Sequence, residues 1–246
     1  MAAMKIAILS DIHGNLPALD AVLSDLGQHG VDLVVNLGDI CSGPLFPVET
    51  ADRLMALGLP TIRGNHERQL LEQPRLEMNA SDRHAAERLR PDQVAWLTSL
   101  PETLMLPDDV LLVHGTPASD IEALLQTVDA DGMRAATPAE IATRTQGHRA
   151  GVILCGHTHV PAQMQLGDQL VLNPGSVGLP AYRDILPFPH VAETGTPHAR
   201  YAIARRTDAG WTAQLRRVAY DWEAAAKVAE ANGRMDWAGA LRTGRA

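Results

Sequence analysis

Cysteine is scarce in this sequence of 246 residues, which contains only Cys41 and Cys155. The two residues form no CxxC pair and follow no zinc-ribbon spacing, so we expect neither a disulfide framework nor a structural zinc ribbon. Cys155 ends the apolar stretch GVILC, a setting typical of a small buried core residue. So little cysteine suits a reducing compartment, and we predict a cytoplasmic protein.

Long apolar runs and clusters of basic residues are also missing. No apolar stretch approaches the roughly 20 residues that cross a membrane, and Asp11 interrupts the short run near the start, so we expect no signal peptide and no membrane partner. The net charge is -8, from 29 acidic and 21 basic side chains, without any Lys/Arg block. We therefore do not expect nucleic acid as a partner. A site for an anion would need its own positive charge, which a metal ion can provide.

Internal repeats, low-complexity tracts and flexible linkers are absent as well. The length and the 46% content of hydrophobic residues suffice for a full core. We therefore predict a single domain over residues 1–246. It is expected to have a helical insert at about 67–100 and a C-terminal hairpin plus helix at about 200–246.

Short apolar runs alternate with amphipathic stretches in the first third of the chain. Continuous apolar runs are typical of strands that are covered on both faces. They predict strands at residues 4–10, 31–39 and 59–66, with helices at 15–29 and 47–58 between them. This β-α-β-α-β order predicts a parallel sheet with crossover helices.

The rest of the chain predicts a less regular mixture. Helices are predicted within 67–100, after the capping box of Thr137 and Glu140, and over 221–233. Strands are predicted at 103–106, 110–114 and 151–157, and as hairpins at 162–173 and 201–220. The four prolines of residues 178–199 predict a loop, and the residues after 233 a short tail.

Polar side chains follow five of the predicted strands. They are Asp11 and His13 in SDIHGN, Asp39 in GD, Asn65 and His66 in GNHE, His114 in VHG, and His157 and His159 in GHTH. The carboxyl ends of parallel strands share one edge of a sheet, which is where ligands bind. We therefore expect these side chains to converge although they lie far apart in sequence.

The chemical types in this set indicate a transition-metal site. Imidazole combined with carboxylate suits zinc, iron, manganese or nickel rather than calcium or magnesium alone. One ion uses roughly four to six ligands, so the set is large enough for two ions, which can clamp a phosphate group during displacement at phosphorus. The other histidines are expected to be ordinary surface or core residues: His29, His84, His148, His190 and His198.

In this order, the motifs SDIHGN, GD, GNHE, VHG and GHTH, with NPGSVG at 173–178, resemble those of the calcineurin-like metallophosphoesterases. The resemblance runs from Lys5 to about Val177, and the later hairpin and Ala-rich helix are similar to those of small bacterial single-domain members. It implies an α/β fold of four layers, α-β-β-α. Two mixed β-sheets would pack together between helices, with two metals at one sheet edge.

The resemblance also implies a role for each motif residue. It implies that Asp11, His13 and His159 bind the first metal, that Asn65, His114 and His157 bind the second, and that Asp39 bridges both. His66 would be catalytic rather than a ligand, protonating or stabilising the leaving oxygen. The cofactors are expected to be two divalent or trivalent transition-metal ions, from Mn, Fe, Zn and Ni, with Mn and Fe favoured.

The implied activity is that of a metal-dependent phosphoric ester hydrolase. A hydroxide bridging the two ions would attack phosphorus in line, on a small phosphodiester or phosphomonoester such as a nucleotide. Two alternatives stay open. One is a metal-dependent nuclease, which the missing basic stripe disfavours, and the other is a non-catalytic metal-binding scaffold that works through protein contacts. The expected partner is a small phosphate ester, and a homo-oligomer is left open.

Substrate contacts are the least defined part of the prediction. Such contacts are expected to vary in residues 67–100 and 180–197. Arg68, Tyr182 and Arg183 are weak candidates for substrate binding. A solvated side chain is the more common interpretation of each.

Overall fold

The computed structural model describes residues 4–145 and 147–246, which form thirteen strands and eight helices. The strands are β1 (Lys5–Leu9), β2 (Leu33–Asn36), β3 (Leu104–Leu106), β4 (Val110–Leu112), β5 (Gln126–Asp129), β6 (Gly132–Ala135), β7 (Val152–Leu154), β8 (Ala162–Leu166), β9 (Gln169–Asn173), β10 (Ala181–Asp184), β11 (His190–Glu193), β12 (Ala199–Thr207) and β13 (Gly210–Val218). The helices are α1 (Leu16–Leu26), α2 (Pro47–Leu57), α3 (Asn65–Glu72), α4 (Ala80–Ala86), α5 (Pro91–Ser99), α6 (Pro138–Arg144), α7 (Trp222–Ala231) and α8 (Met235–Thr243).

The first sheet has the strand order β13-β12-β1-β2. Strand β1 pairs in parallel with β2 and antiparallel with β12. Its side chains alternate between the two faces of the sheet, with Ile6 and Ile8 on one face and Ala7 and Leu9 on the other, and all are fully buried. Because both faces are covered, the strand is continuously apolar, as the sequence pattern predicts.

The second sheet has the strand order β3-β4-β7-β9-β8. Its three central strands run parallel, and the two edge strands are antiparallel to them. The predicted hairpin over 162–173 is confirmed as β8 and β9, and Gly167 takes the left-handed conformation that their tight turn requires (φ +58°). The sheet is therefore mixed, like the first.

The two sheets pack face to face, and helices cover their outer faces. Ile6 and Ile8 of the first sheet share one apolar cluster with Leu112 and Leu154 of the second. Helices α1 and α2 cover the outer face of the first sheet, and α6 packs against that of the second through Ile141. The predicted α-β-β-α order of four layers is confirmed.

Helices α3, α4 and α5 confirm the helix-prone segment predicted at 67–100. Asn79 caps α4 by accepting hydrogen bonds from the backbone N–H groups of Ser81 and Asp82, and Pro91 begins α5. Leu70 and Leu97 bury this segment against the core below the first sheet. The segment is thereby attached beside the carboxyl ends of β1 and β2.

The third strand predicted in the first third of the chain is wrong in extent. Only Thr61 pairs with the first sheet, through a parallel bridge to Asn36. Pro60 has no N–H to donate, and α3 already begins at Asn65. The chain between them is therefore too short for a regular ladder.

The loop predicted at 178–199 contains a hairpin formed by β10 and β11. Residues of β11 alternate in burial: His190 and Ala192 point inward, and Val191 and Glu193 point outward. The inward side chains are the polar ring of His190 and the methyl group of Ala192. Burial therefore alternates along the strand while hydrophobicity does not, and the sequence pattern does not indicate a strand.

Two further elements were absent from the prediction. Strands β5 and β6 form a hairpin at 126–135, and helix α8 replaces the predicted tail. Helix α8 packs on α7, and Trp237 shares one apolar cluster with small side chains that include Ala225 and Ala229. Alanine carries a weak hydrophobic signal, so the packing of these two helices is not evident from periodicity.

Candidate metal centre

The seven predicted metal ligands lie in loops that follow neighbouring strands. Asp11 and His13 follow β1, Asp39 follows β2, His114 follows β4, His157 and His159 follow β7, and Asn65 begins α3. Strands β1 and β2 run parallel, as do β4 and β7. The structure therefore brings all seven side chains together at one end of the sandwich.

The backbone is left-handed at five of these seven positions. The φ angles are +55° at Asp11, +54° at His13, +53° at Asp39, +69° at His157 and +58° at His159. Such a conformation costs about 1–3 kcal/mol in a residue other than glycine, and it persists only where the surrounding structure imposes it. Strain of this kind concentrates at functional sites, which marks these loops independently of their side chains.

Two glycines are required where the loops approach each other. A Cβ atom on Gly64 would lie 2.2 Å from Oδ1 of Asp39, and one on Gly156 would lie 2.0 Å from Oγ of Ser10. Any side chain at either position would displace a predicted ligand or its neighbour. The glycines of the GNHE and GHTH motifs are therefore explained by steric crowding.

The first group of potential ligands consists of Asp11, His13, Asp39 and His159, all buried. Nδ1 of His13 donates to the carbonyl of Ser42 (2.7 Å), and Nδ1 of His159 donates to that of Leu179 (2.8 Å). A carbonyl can only accept, so in the neutral rings both Nε2 atoms carry lone pairs. These two Nε2 atoms nevertheless face each other at 3.0 Å.

Burial lowers the pKa of His13 to about 3, so its ring is neutral at physiological pH. Asp11 differs, because neither of its buried carboxylate oxygens has a hydrogen-bond partner. The nearest imidazole nitrogen, Nε2 of His159, lies 3.5 Å from Oδ1 of Asp11. A buried carboxylate without a donor is strongly unfavourable unless a cation compensates it. This orphaned carboxylate and the opposed lone pairs fit a metal ion.

The second group contains Asn65, His114 and His157, with Asp39 again nearby. Oδ1 of Asn65 lies 3.1 Å from Nε2 of His114 and 2.9 Å from Nδ1 of His157. Nδ1 of His114 donates to the carbonyl of Leu37 (2.7 Å), which directs Nε2 toward Oδ2 of Asp39 at 3.2 Å. Helix α3 and the loops after β4 and β7 thus direct oxygen and nitrogen atoms toward one point. Asp39 belongs to both groups.

The two imidazoles of the second group have opposite pKa shifts. Burial would lower the pKa of His114, but the carboxylates of Asp39 and Asp11 outweigh it and raise the pKa to about 10. Burial and the charge of His114 lower the pKa of His157 to about 4. In the metal-free protein His114 therefore carries a proton. The positive charge of this ring lies where the negative charge of Asp39 would also favour a metal cation.

Glu67 holds the loops of the GD and GNHE motifs together. Its fully buried carboxylate accepts hydrogen bonds from the backbone N–H groups of Asp39 and Gly64 through Oε2 (2.8 and 2.9 Å) and from that of Ile40 through Oε1 (2.8 Å). Three donors converging on one carboxylate fix Asp39 relative to the start of α3. The final residue of the GNHE motif is thus structural and supports the ligands on either side.

His66 lies beside the two groups and contacts a carboxylate outside the motifs. Its Nδ1 lies 2.8 Å from Oδ1 of Asp82, which also accepts a hydrogen bond from Oγ of Ser42 at 2.6 Å. Burial would lower the pKa of His66, but Asp39 and Asp82 outweigh it and raise the pKa to about 9. Asp82 therefore holds Nδ1 of His66 and, together with Asp39, favours the protonated ring in the metal-free protein.

A cavity of about 800 Å³ opens beside the predicted metal ligands. Tyr182 and Arg183 line it, with the Tyr182 ring 4.8 Å from that of His159, centroid to centroid. Arg68 lies outside the lining, and its guanidinium binds the carboxylate of Asp120 (2.6 and 2.9 Å). Helix α8 adds Trp237, whose ring stands edge-on to His13 at 5.9 Å.

Sequence reasoning missed Asp82, Ser42 and Trp237. Asp82 belongs to an Asn-Ala-Ser-Asp stretch that carries only a helix-capping signal, and no pattern in the sequence links it to His66. Ser42 follows the GD motif at a distance where a loop residue is expected. Trp237 lies in the segment predicted as a tail. Each becomes visible only when the packing of a distant element is known.

Residues 4–189 match the calcineurin-like phosphoesterase superfamily domain. The chain belongs to that superfamily. Membership confirms the predicted fold class and the predicted class of enzyme, a metal-dependent phosphoric ester hydrolase. For this superfamily divalent metal ions are implied, and the two clusters around Asp39 offer a place for them.

Relatives of known structure or name extend over most of this phosphoesterase. A metallophosphoesterase from Sphaerobacter thermophilus has a TM-score of 0.77 at 26% identity, covering 98% of this chain and 99% of its own. An uncharacterized protein of Methanocaldococcus jannaschii is 26% identical over 265 residues, 97% of each chain. Phosphodiesterase YfcE of Escherichia coli is 28% identical over 189 residues, 72% of this chain and 81% of its own. Among the described residues, no helix is both long and apolar enough to span a membrane.

Proposed function

We propose that this protein is a di-metal phosphoesterase that hydrolyses small phosphodiesters or phosphomonoesters, nucleotides included. The observation that carries the proposal is the double cluster around Asp39, in which the buried carboxylate of Asp11 has no hydrogen-bond donor and the Nε2 lone pairs of His13 and His159 face each other. The likeness to a phosphodiesterase of Escherichia coli supports action on a diester.

Two sets of residues would hold the ions. Asp11, His13 and His159 would bind one, Asn65, His114 and His157 the other, and Asp39 both. Nitrogen and carboxylate donors together favour Mn, Fe, Zn or Ni, and we place Mn and Fe first. When bound, such ions neutralise the oxygens of a phosphate and activate water for in-line displacement at phosphorus.

The protein side chains supply the remaining functions. Carbonyl groups of Ser42, Leu179 and Leu37 orient the imidazole rings by accepting from Nδ1, so each Nε2 stays available. His66 would donate the proton from Nε2 to the leaving oxygen, since Asp82 holds its Nδ1 and keeps the ring protonated. Trp237 of α8 and Tyr182 of β10 line the cavity beside the site.

The proposal includes the organisation of the whole chain. We propose one domain over residues 1–246, because α8 and the β10–β11 hairpin border the same cavity as the motif loops. We also propose a cytoplasmic location and a small phosphate ester as the partner, with a homo-oligomer left open. Size-exclusion chromatography with light scattering determines the oligomeric state.

Metal analysis combined with a turnover assay tests the proposed activity. Purified protein should contain up to two equivalents of transition metal, and the manganese-loaded protein should hydrolyse bis(p-nitrophenyl) phosphate. Chelator treatment should remove both metal and activity. A matched control is Asp208→Asn, in the exposed turn between β12 and β13, which should keep both. Metal-loaded protein without turnover of any phosphate ester would contradict the proposal.

The two alternatives predict different outcomes. A protein-binding scaffold would bind metal without turning over any ester, although the filled set of donor positions argues against a degraded centre. A nuclease would cleave single- or double-stranded DNA in the same assay, with the Asp39→Asn variant inactive. The net charge of -8 disfavours a grip on a phosphate backbone.

A further inference from the structure

We propose that the cavity accepts an ester with a single phosphate group and an apolar alcohol substituent, which lies along an apolar rim above the metal centre. This inference rests on the proposed phosphoesterase function and specifies its substrate class. The apolar rim consists of the following residues that line the cavity: Ile121, Val128, Met133, Leu186 and Pro187.

The apolar rim is more exposed than its composition leads one to expect. Ile121 is 57% exposed and Leu186 is 70% exposed, and the neighbours Ile185 and Phe188 are 74% and 44% exposed. The rim residues come from three segments. Ile121 precedes β5, Val128 and Met133 belong to the β5–β6 hairpin, and Leu186 and Pro187 lie at the tip of the β10–β11 hairpin. Exposed apolar side chains that cluster beside a ligand cavity mark a binding surface.

The occupant of this rim follows from its continuity with the metal centre. The same cavity is lined at its base by His13, Asp39 and His159 and at its edge by Ile121 and Leu186. A phosphate group at the base would leave its alcohol substituent pointing along the rim. The rim would then remove apolar surface of that substituent from water.

The cationic side chains around the cavity are already engaged within the protein. Arg234 donates to the carboxylate of Asp236 (2.6 and 3.0 Å) and to Oγ of Ser81 (2.7 Å), and it stacks on Trp237 at 5.5 Å. Arg183 donates to the backbone oxygen of Ala246. Neither guanidinium is directed to a second phosphate.

Arg144 is engaged in the same way. It donates to the carbonyl of Gln126 and to Oγ1 of Thr127, each at 2.8 Å, and its Nε lies 3.6 Å from the carboxylate of Glu122. No lysine lines the cavity in the described part of the chain. A nucleoside oligophosphate would therefore bring further negative charges to a wall whose arginines are already paired within the protein, whereas one phosphate with an apolar arm would not.

A series of diesters with one leaving group tests this inference. Methyl, hexyl and thymidine-5′ esters of p-nitrophenyl phosphate all release p-nitrophenolate, so differences in kcat/KM report on the second arm. Each fully buried methylene is worth about fourfold. On a rim that stays partly open, we expect the hexyl ester to exceed the methyl ester by about tenfold or more. ATP should be a poorer substrate than the hexyl ester.

The double variant Ile121→Ser/Leu186→Ser tests the location of the arm. It should reduce the preference for the hexyl over the methyl ester to less than about threefold, largely through KM. Leu76→Ser is the matched control, because Leu76 is 92% exposed and lies outside the cavity lining. It should keep the full preference.

Binding of hexylphosphonate and methylphosphonate, measured by calorimetry on metal-loaded protein, separates the two levels of the hypothesis. Tighter binding of hexylphosphonate without turnover of any ester would support the apolar rim and contradict the proposed function. Turnover without a preference for the hexyl arm would overturn the inference about the rim alone. A preference that survives in the double variant, or a preference for ATP, would overturn it too.

Discussion

The base of the cavity is made of buried side chains held in strained loops, whereas its rim is made of exposed apolar side chains on hairpins. At the base, His13 and His159 are fixed by carbonyl groups, and five ligand positions have left-handed backbone. At the rim, Leu186 and Ile121 are held by few neighbours and face solvent. The difference indicates that the base is built to fix atoms in place, and the rim to accept a variable group.

The strongest way to break this contrast is to remove the residue shared by both metal clusters. Asp39→Asn should release both ions, with a loss of affinity above the roughly 100-fold typical of outer-shell changes. Metal content by mass spectrometry and turnover of bis(p-nitrophenyl) phosphate measure the effect, with Asp208→Asn as the control. Two full equivalents of metal in Asp39→Asn would disprove the bridging role.

Removing His66 should leave the base intact while slowing the reaction. His66→Ala should keep its metals and lose about 10²–10⁴-fold in kcat/KM on alkyl or nucleoside phosphates, which have poor leaving groups. The loss on p-nitrophenyl diesters should be smaller, because p-nitrophenolate departs without a proton. His148→Ala, at an exposed histidine, is the control. Equal losses on both substrates would indicate that His66 orients the phosphate, and loss of metal would make it a ligand.

Metal binding should release protons from the side chains at the base of the cavity. It should not depend on the residues of the apolar rim. In the metal-free protein the pKa of His114 is raised to about 10, so the ring is protonated at pH 7 and must lose its proton to bind metal. Affinity should therefore rise by up to about tenfold per pH unit as the pH increases toward that value. Calorimetry in buffers of different ionisation enthalpy detects the release, and the His66→Ala variant removes any contribution from that ring.

Acid should have the opposite effect on the loaded enzyme. Protons compete with the metal for the imidazole ligands, above all for His114, whose pKa in the metal-free protein is raised to about 10, so metal content and activity should both fall as the pH is lowered. Measuring metal content and turnover on the same samples links the two. Full occupancy and activity at pH 5 would contradict the four-imidazole centre.

Asp82 lies in helix α4 and contacts His66. Its substitution therefore tests how far α4 supports the function of His66. Asp82→Asn removes a carboxylate that raises the pKa of His66. The alkaline limb of the pH profile should therefore move to lower pH by about 1, with a loss in kcat/KM of about twofold at pH 8 and about fivefold at pH 9, and no loss of metal. NMR titration of His66 reports its pKa directly. An unchanged profile would limit Asp82 to the hydrogen bonds with Ser42 and Asn79.

The smallest effect is expected from a substitution that weakens helix α7, which packs on α8. Asp221 caps α7 by accepting a hydrogen bond from the backbone N–H of Ala224 at 3.0 Å. Asp221→Ala should cost about 1 kcal/mol of stability and lower Tm by about 2–4 °C, while metal content stays unchanged. Thermal unfolding of metal-loaded protein checks this. A loss of metal would show that metal binding depends on the packing of α7 and α8, contrary to this expectation.

Much of the fold was predictable because the buried strands and their turns carry strong local signals. KIAIL, the Gly-Asp hairpin and the capping box of Thr137 and Glu140 each specify one local structure whatever surrounds them. The β10–β11 hairpin, the β5–β6 hairpin and α8 were not predictable. Their inward positions hold small or polar side chains, such as Ala192, and the hydrophobic pattern is correspondingly weak.

The chemical types and the order of the polar groups at the base are predictable from the sequence, because most of the motifs place an acid, an amide or an imidazole near a glycine just after a strand. The β-α-β order at the start of the chain also predicts that β1 and β2 run parallel, as they do. The contact of Asp82 with His66 and the pairing of the arginines near the cavity are evident only from the packed structure. Those contacts join residues from separate elements, and their geometry depends on how the elements pack rather than on any local pattern.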